Sequence, residues 1–357
     1  MDFSIASILT LDGVTNGAIY ALLALATVLV FAITRVIFIP QGEFVAYGAI
    51  TLAMLQQGNP VGTFWQRHGD LPGTVWLLLA VAGVVAVLDF IRGLRNAQPA
   101  APLWGQVVRT LAVPLLVFAV AWFAGPRAWP LWAQSLFTLA VVTPLGPLVY
   151  RLAYEPVADA SVLVLLIVSV GVHFALTGLG LVFFGAEGFR NPSFWDERFQ
   201  IGAMTLTGQT VIIFAASLAL MGALFLFFER TLRGKALRAT AVNRLGARLM
   251  GISTSGAGKL SFGLAAFMGA LSGLLIGPST TIFYDSGFLI GLKGFVAAIF
   301  GGLASYPAAA LGALFVGLLE SFGSFWASAF KEVIVFTLIL PVLLWRSFQH
   351  GHHDDEE

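Results

Sequence analysis

Lys293 and Glu320 are oppositely charged residues that each lie inside a strongly apolar stretch of the sequence. A charged side chain in a bilayer costs about 2.5–3.5 kcal/mol on insertion scales, so such a residue needs a partner or a function. With a chain reversal between Tyr306 and Pro307, both residues lie 13–14 positions from the turn, at similar depth and near the outer end of adjacent helices. We therefore predict an ion pair or a shared polar site along a solute pathway. The alternative is a lysine that reaches the membrane interface beside an unrelated glutamate.

Polar residues near the N-terminus form a second set of candidates for a pathway. Gln41, Gly42 and Glu43 follow a proline and open a short apolar stretch, where a carboxylate complements the partial charge of a helix N-terminus. Half-helix ends of this kind often build binding sites in transporters, although an ordinary capped helix start explains the same residues. Asn16 and Tyr20 lie one helical turn apart and face either a cavity or a helix interface.

The sequence offers no set of residues for catalysis. It contains no cysteine, no Gly-x-x-x-x-Gly-Lys-Ser/Thr phosphate loop, no zinc-protease helix motif and no nucleophile elbow. For His173, inside an apolar stretch, a hydrogen bond to neighbouring backbone is a simpler interpretation than a proton relay. The histidine-containing end, residues 347–357, is interpreted as a disordered, solvated tail rather than a weak metal-binding tract. We predict no catalytic residue, no metal site, no cofactor and no nucleic-acid partner.

The composition places these residues in a membrane protein. Of the 357 residues, 58% are hydrophobic and 10% are charged, and the mean hydropathy is +0.90. Soluble domains carry about 25% charged residues, so a normal water-solvated surface is excluded. The first residues lack a basic region and a convincing cleavage site, and we interpret them as leading directly into the first span.

Apolar stretches of suitable length predict an all-α, polytopic transmembrane bundle of about 9–11 spans. Two of the stretches are short, near 43–57 and 287–303, and we predict broken or partly re-entrant helices there, which are tolerated where protein encloses them. The candidate spans are residues 14–34, 43–57, 74–91, 106–124, 133–150, 161–184, 208–230, 257–277, 287–303, 308–325 and 330–346.

The placement of lysine and arginine predicts the orientation. With the N-terminus outside and the sides alternating, 13 of the 19 basic residues fall on the inner side and 5 on the outer side, and Lys293 lies within a span. This bias agrees with the positive-inside rule. We predict a periplasmic N-terminus and a cytoplasmic C-terminus.

Residues 231–256 form a strongly basic connection on the predicted inner side. From 235 to 250 we predict one amphipathic helix, because an apolar residue recurs at every fourth position: Leu237, Ala241, Leu245 and Leu249. Arg238 lies off this stripe, and Gly251 is placed to end the helix. The apolar face could dock into a groove of a partner protein, or the helix could lie on the inner leaflet with its arginines towards the headgroups.

Small residues recur at every fourth position in two other stretches. Such rows allow helix backbones to approach closely in lipid, and we predict close helix packing along both. The rows are Ala265, Gly269, Gly273 and Gly277, and Ala309, Ala313, Gly317 and Ser321.

Four segments carry a resemblance to a known family. Residues 287–307 read GFLIGLKGFVAAIFGGLASYP, close to the pattern G-F-x-x-G-x-K-A-F-x-A-A-x-x-G-G-x-G-S-x-P. Residues 11–25 match an opening span, and residues 35–43 resemble an I-N-F-A-H-G-E connection with Phe38, Pro40 and Gln41 as departures. Leu245-Gly246-Ala247-x-x-x-Gly251 falls on an E-A-A-x-x-x-G loop, with leucine in place of the glutamate and glycine in place of one alanine. Together these segments resemble the permease subunits of branched-chain amino-acid ABC importers, of the kind paired with a second, related permease.

The resemblance implies a transport subunit rather than an enzyme. It implies a second related permease, two cytoplasmic ATPases that supply the energy, a periplasmic solute-binding protein, and a location in the bacterial inner membrane. It favours leucine, isoleucine or valine as substrate, whereas related permeases carry urea, short amides or aromatic acids. The rival hypothesis is an ion-coupled secondary transporter or channel that uses Lys293, Glu320 and His173.

The resemblance also divides the chain. Residues 1–346 would form the permease domain, residues 58–132 an insertion with two extra spans, and residues 231–256 the ATPase-docking loop. The candidate pathway residues are Asn16, Tyr20, Gln41, Gly42, Glu43, Lys293 and Glu320. The candidate ATPase-coupling residues are Leu237, Arg238, Ala241, Leu245, Gly246, Ala247, Leu249 and Gly251.

Overall fold

A computed structural model of the chain describes residues 3–58, 71–95, 100–201, 204–337, 340–342 and 344. The described residues form helices joined by short connections and one small antiparallel hairpin, β1 (Arg198–Ile201) and β2 (Met204–Thr207). The helices are α1 (Phe3–Thr34), α2 (Glu43–Gln57), α3 (Gly73–Arg95), α4 (Ala100–Ala124), α5 (Leu131–Val142), α6 (Leu145–Val149), α7 (Val162–Phe184), α8 (Gly208–Arg230), α9 (Leu232–Val242), α10 (Arg244–Leu249), α11 (Thr254–Ile276), α12 (Ser286–Phe300), α13 (Tyr306–Ala327) and α14 (Lys331–Thr337).

The predicted all-α, polytopic bundle is confirmed. Eight helical segments among the described residues are long and apolar enough to cross a bilayer. The prediction of short helices is also confirmed, because α2 and α12 contain 15 residues each and are therefore about 22 Å long, less than the hydrocarbon thickness of about 30 Å. The first helix begins at Phe3 rather than at residue 14, since no proline interrupts it and its early glycines are packed.

The longest helix, α1, lies in the centre of the bundle. In its most apolar window 89% of the residues are buried, against 17% for α7 and 11% for α8, which are peripheral. α13 packs along α1 through small residues: a Cβ added to Gly317 would lie 2.2 Å from the carbonyl oxygen of Gly13, and Ser321 Oγ donates to the carbonyl oxygen of Leu9 at 2.7 Å. The predicted close packing along this row is confirmed.

The other row of small residues packs α11 against α2. A Cβ on Gly273 would lie 2.1 Å from the carbonyl oxygen of Val45, and one on Gly48 would lie 2.7 Å from Ala270 Cα. Backbones this close leave no room for side chains, so the two helices contact each other directly.

The connection before α2 re-enters the bundle. Phe38 packs on Phe262 of α11 with ring centroids 4.5 Å apart, and Gln41 Nε2 donates to the carbonyl oxygen of Ala265, one turn further along α11, at 2.9 Å. A 3₁₀ turn at Ile39–Gly42 then leads into α2. The first residue of α2 therefore lies beside the middle of α11, and α2 spans only part of the bundle.

The N-terminus of α12 meets the N-terminus of α2 at this depth. A Cβ on Gly42 would lie 1.9 Å from the carbonyl oxygen of Gly287, and one on Gly291 would lie 2.6 Å from Gly42 Cα. We call this contact of Gly42 with Gly287 and Gly291 the glycine junction. Two half-length helices thus begin at one point and run away from each other.

The helices α3 and α4 supply the two spans expected within residues 58–132. Arg151 ties them to the remaining bundle, because its guanidinium pairs with Asp89 of α3 and donates to Thr110 Oγ1 of α4 at 2.8 Å. That this region is an insertion stays a prediction. Residues 59–70 and 96–99 within it, and the predicted tail 347–357, lie outside the described residues.

Candidate functional site

A group of ionisable side chains, three of them buried and the fourth, Glu332, half-buried, joins four helices. Lys293 Nζ lies 2.5 Å from Glu320 Oε1 and 3.1 Å from Glu332 Oε1. Tyr20 donates its hydroxyl hydrogen to Glu320 Oε2 at 2.5 Å. Lys293 is 5% exposed, Glu320 8% and Tyr20 2%. We call these four residues the central charge cluster.

The helices α1, α12, α13 and α14 each supply one member of the central charge cluster. The ion pair expected from the spacing of Lys293 and Glu320 is present. Tyr20, the 18th of the 32 residues of α1, brings the pair into contact with that helix. Glu332 is not among the predicted site residues, because it lies in residues 330–346, whose apolar character indicates only a final span.

The charges of the central charge cluster do not balance within it. Two carboxylates face one ammonium group, and the tyrosine hydroxyl adds a hydrogen bond to Glu320. Buried charges of this kind are tolerated only when they are paired and hydrogen-bonded. The cluster can therefore hold four helices in one arrangement, and a helix movement would have to exchange one of its contacts.

A second buried pair lies at the start of α2. Glu43 is fully buried, and its Oε1 lies 2.9 Å from His173 Nδ1 in the middle of α7. The expectation that His173 bonds to neighbouring backbone is wrong, since its partner is a carboxylate 130 positions away. Phe288 of α12 covers the imidazole, with ring centroids 4.7 Å apart.

The Glu43–His173 pair should be measurable as a coupling. We expect His173→Phe and Glu43→Gln each to destabilise the protein, and the double variant to lose about 1–3 kcal/mol less than the sum of the two single changes. The free energy of unfolding, measured by denaturant titration in mild detergent, checks this. Additive losses would mean that the contact contributes nothing to stability.

The predicted pathway residues fall into two groups that α12 joins. Tyr20, Lys293 and Glu320 belong to the central charge cluster, and Gln41, Gly42 and Glu43 lie at the glycine junction. Gly291 contacts Gly42, and Lys293 follows two residues later on the same helix. Asn16 is half-buried on α1 and makes no side-chain hydrogen bond among the described residues.

The basic connection is not the single helix predicted for residues 235–250. Asn243 interrupts it with φ −147° and ψ 100°, and its side chain accepts a hydrogen bond from Gly246 N at 2.8 Å. Asparagine is a favoured N-cap residue, so α9 ends there and α10 begins. Gly251, with φ 81°, ends α10 as predicted.

The break divides the predicted apolar stripe between two surfaces. Leu237 on α9 is 1% exposed and faces the bundle, whereas Leu245 is 67% and Leu249 80% exposed on α10. The flanking Val242 and Met250 are also exposed. We call Val242, Leu245, Leu249 and Met250 the α10 patch. Of the other candidate ATPase-coupling residues, Ala247 is buried and Ala241 is half-buried. The backbone N–H of Gly246 donates to the side chain of Asn243.

Cavities lie on both sides of α9. One, of about 920 Å³, lies between α9, α11 and the end of α5, with Arg233 and Lys259 in its wall. The other, of about 750 Å³, lies between α1, α8, α9 and the start of α13, with Arg35 and Arg238 in its wall. Leu237 lines both, so this side chain separates the two spaces.

Comparison with known proteins gives consistent matches. A family model described as branched-chain amino acid transport system / permease component matches residues 106–343. The high-affinity branched-chain amino acid transport system permease protein BraD of Pseudomonas aeruginosa is 27% identical over 288 residues, which cover 78% of this chain and 92% of that protein. LivH of Escherichia coli K12, of the same description, is 27% identical over 285 residues, which cover 78% of this chain and 91% of LivH. No solved structure matches the chain.

Proposed function

The chain belongs to the permease family of branched-chain amino acid transport systems, and from this premise we propose that it is one permease subunit of an ATP-driven importer for leucine, isoleucine or valine. The polytopic bundle places it in a membrane. We further propose that this is a bacterial inner membrane, with the N-terminus periplasmic, and that a second related permease, two ATPases and a periplasmic solute-binding protein complete the importer.

The observation that carries the ATP-driven part of this proposal is the α10 patch. Leu245 and Leu249 stand exposed on the short helix α10, flanked by exposed Val242 and Met250, within the most basic connection of the chain. Exposed apolar side chains grouped on one element are typical of a protein-binding surface. A helix-binding groove on an ATPase is the partner that the family relationship suggests.

The contacts of α10 suit it to transmit force. Arg244 donates to the carbonyl oxygen of Ala158 at 2.9 Å, and both Arg244 and Arg248 lie within 4 Å of Asp159, at 3.8 and 3.6 Å. On its other side, Ile252 N donates to the carbonyl oxygen of Ala247 at 2.9 Å, directly before α11. A push on α10 would therefore reach α11 and the connection before α7 together.

The cavities beside α9 give the neighbouring helix room to move. Rigid-body movement of α9 and α10 would shift Leu237 between the two spaces and change the packing of α1, α8 and α11. Because α11 packs on α2 through Gly273 and Gly48, such a shift would reach the glycine junction. This route links ATPase closure to the middle of the bundle.

Transport by membrane vesicles tests the proposal. With co-expressed ATPases and binding protein, we expect uptake of labelled leucine that requires ATP and persists after an ionophore has collapsed ion gradients. Uptake that needs no ATP but disappears with the ion gradient would instead establish an ion-coupled transporter. If urea, short amides or aromatic acids compete for uptake and isoleucine and valine do not, the chain is still an importer subunit, but its substrate is a different small polar solute.

The α10 patch makes a specific prediction. Replacing Leu245 and Leu249 together by serine should lower uptake and co-purification of the ATPase at least tenfold, since central apolar residues of an interface contribute about 2 kcal/mol each. The stability of the permease should not change, because both side chains are exposed. Leu232→Ser is the matched control: Leu232 is 86% exposed at the opposite end of α9. Equal loss in the control would remove the α10 patch as the docking surface.

A further inference from the structure

The cavity between α1, α8, α9 and the start of α13 has features that the import of a small solute does not explain. It has a volume of about 750 Å³, and its wall is mainly apolar. We call it the lateral cavity. A single amino acid would leave most of this volume empty, so the space fits a longer apolar ligand.

The lateral cavity has the depth of one membrane leaflet. Its lining runs along α1 from Leu25 to Arg35, a helical distance of about 15 Å. The hydrocarbon core of a bilayer is about 30 Å thick, so this is about half of it. An acyl chain that enters beside a headgroup at Arg35 would reach the level of Leu25.

The cavity lies on a peripheral side of the bundle. Phe225 of α8 and Val242 of α9 line it and are 66% and 82% exposed. Among the candidate spans whose residues are all described, α8 is the least buried, with 11% of its most apolar window buried. A lipid can therefore enter from the side without passing through the protein.

The mouth of the lateral cavity carries a net positive charge. Arg238 pairs with Glu229 at 2.9 Å, so these two charges offset each other. Arg35 is exposed, and its guanidinium has no ion pair or hydrogen bond among the described residues. Its backbone has φ 61°, a strained conformation that the surrounding structure must impose. Within the described part of the chain, the guanidinium of Arg35 thus has no partner at the end of the apolar lateral cavity.

We propose that the lateral cavity binds an anionic phospholipid of the inner leaflet, with one acyl chain between α1 and α8 and the phosphate at Arg35. Basic pockets between transmembrane helices are typical sites for anionic headgroups. The mouth lies at the end of the bundle that carries Arg230 and Arg233, which is the inner end in the proposed orientation. The site shares Val242 with the edge of the α10 patch, but neither Leu245 nor Leu249 lines it, and it contains no member of the central charge cluster.

Lipid-dependent thermal unfolding of the full chain, with any subunits that co-purify, tests this site. Detergent micelles would contain either phosphatidylglycerol or phosphatidylcholine with the same acyl chains, and tryptophan fluorescence would report unfolding. We expect phosphatidylglycerol to raise the midpoint and phosphatidylcholine to raise it much less. Removing one arginine–headgroup contact in Arg35→Gln should lower the apparent affinity for phosphatidylglycerol about fivefold.

Matched variants separate the site from general surface charge. Arg230→Gln removes an exposed arginine at the same end that does not line the cavity, and it should retain the effect. The Arg35→Gln change replaces one non-glycine residue by another at φ 61°, so the backbone strain is the same in the variant as in the original protein. If Arg35→Gln does not yield folded protein, Ala310→Phe, which fills the cavity from α13, should abolish the preference instead.

Three results would overturn the proposal. Equal stabilisation by the two lipids would show that no anion is recognised. An unchanged response in the folded Arg35→Gln or Ala310→Phe variant would place the lipid elsewhere. Equal stabilisation by inorganic phosphate alone would identify a site for a free anion rather than for a lipid.

Discussion

Replacing Lys293 by methionine is expected to destabilise the protein by about 3–5 kcal/mol, the typical cost of removing one partner from a buried ion pair. The change leaves Glu320 and Glu332 facing each other without the ammonium group that lies 2.5 and 3.1 Å from them. Since natural proteins are stable by only about 5–15 kcal/mol, this loss is a large part of the total stability, and the yield of folded protein should fall. The yield of monodisperse protein extracted from membranes, and its unfolding free energy, measure this loss.

A second change should recover part of the loss if charge is its cause. Glu320→Gln in the Lys293→Met background removes one uncompensated carboxylate and keeps an acceptor for the hydroxyl of Tyr20. We expect the double variant to be more stable than Lys293→Met alone. The exchange of Lys293 and Glu320 for each other tests the pairing directly, and a doubly exchanged chain no better than either single exchange would argue against it.

Replacing Gly42 by alanine is expected to cost more than about 3 kcal/mol, at the upper end of the range for overpacked sites. Gly42 has φ −68°, which any residue can adopt, so the cost arises from contact alone. The added Cβ would lie 1.9 Å from the carbonyl oxygen of Gly287, and backbone cannot move aside as a flexible side chain can. Loss of folded protein on extraction, or a large fall in unfolding free energy, is the expected result.

Gly222 provides the control for this substitution. It lies within α8, and a Cβ added there would meet nothing within 4 Å. Gly222→Ala should stabilise the helix by about 0.5–1 kcal/mol, because alanine has the higher helix propensity. A Gly42→Ala variant as stable as Gly222→Ala would mean that the two half-length helices do not touch.

The sequence predicted most of the helices because hydropathy is a strong signal for spans of this length. It did not predict the path of residues 35–43, since an ordinary connection and a re-entrant one have the same composition there. Only the contacts of Phe38 with Phe262 and of Gln41 with Ala265 define that path. Those partners lie more than 220 positions away in the sequence, and no local pattern identifies them.

Of the two buried pairs, the sequence predicted one and not the other, again because only local spacing can be inferred from sequence. Lys293 and Glu320 could be paired from sequence because one turn separates their helices and equal spacing from it implies equal depth. Glu43 and His173 have no such reference point, being separated by several spans. The break at Asn243 was overlooked because the four-residue apolar repeat continues across it, although asparagine before a basic helix is a recognisable N-cap.

The glycine junction has a consequence for how the protein responds to voltage. α2 and α12 both begin there and run to opposite ends of the bundle, so their peptide dipoles point in opposite directions across the membrane. Equal and opposite dipoles do almost no net electrical work in a transmembrane field when the two helices move together. The two dipoles therefore largely cancel, and any voltage dependence of a rearrangement here would arise from the ionisable side chains that these helices carry, Glu43 on α2 and Lys293 on α12.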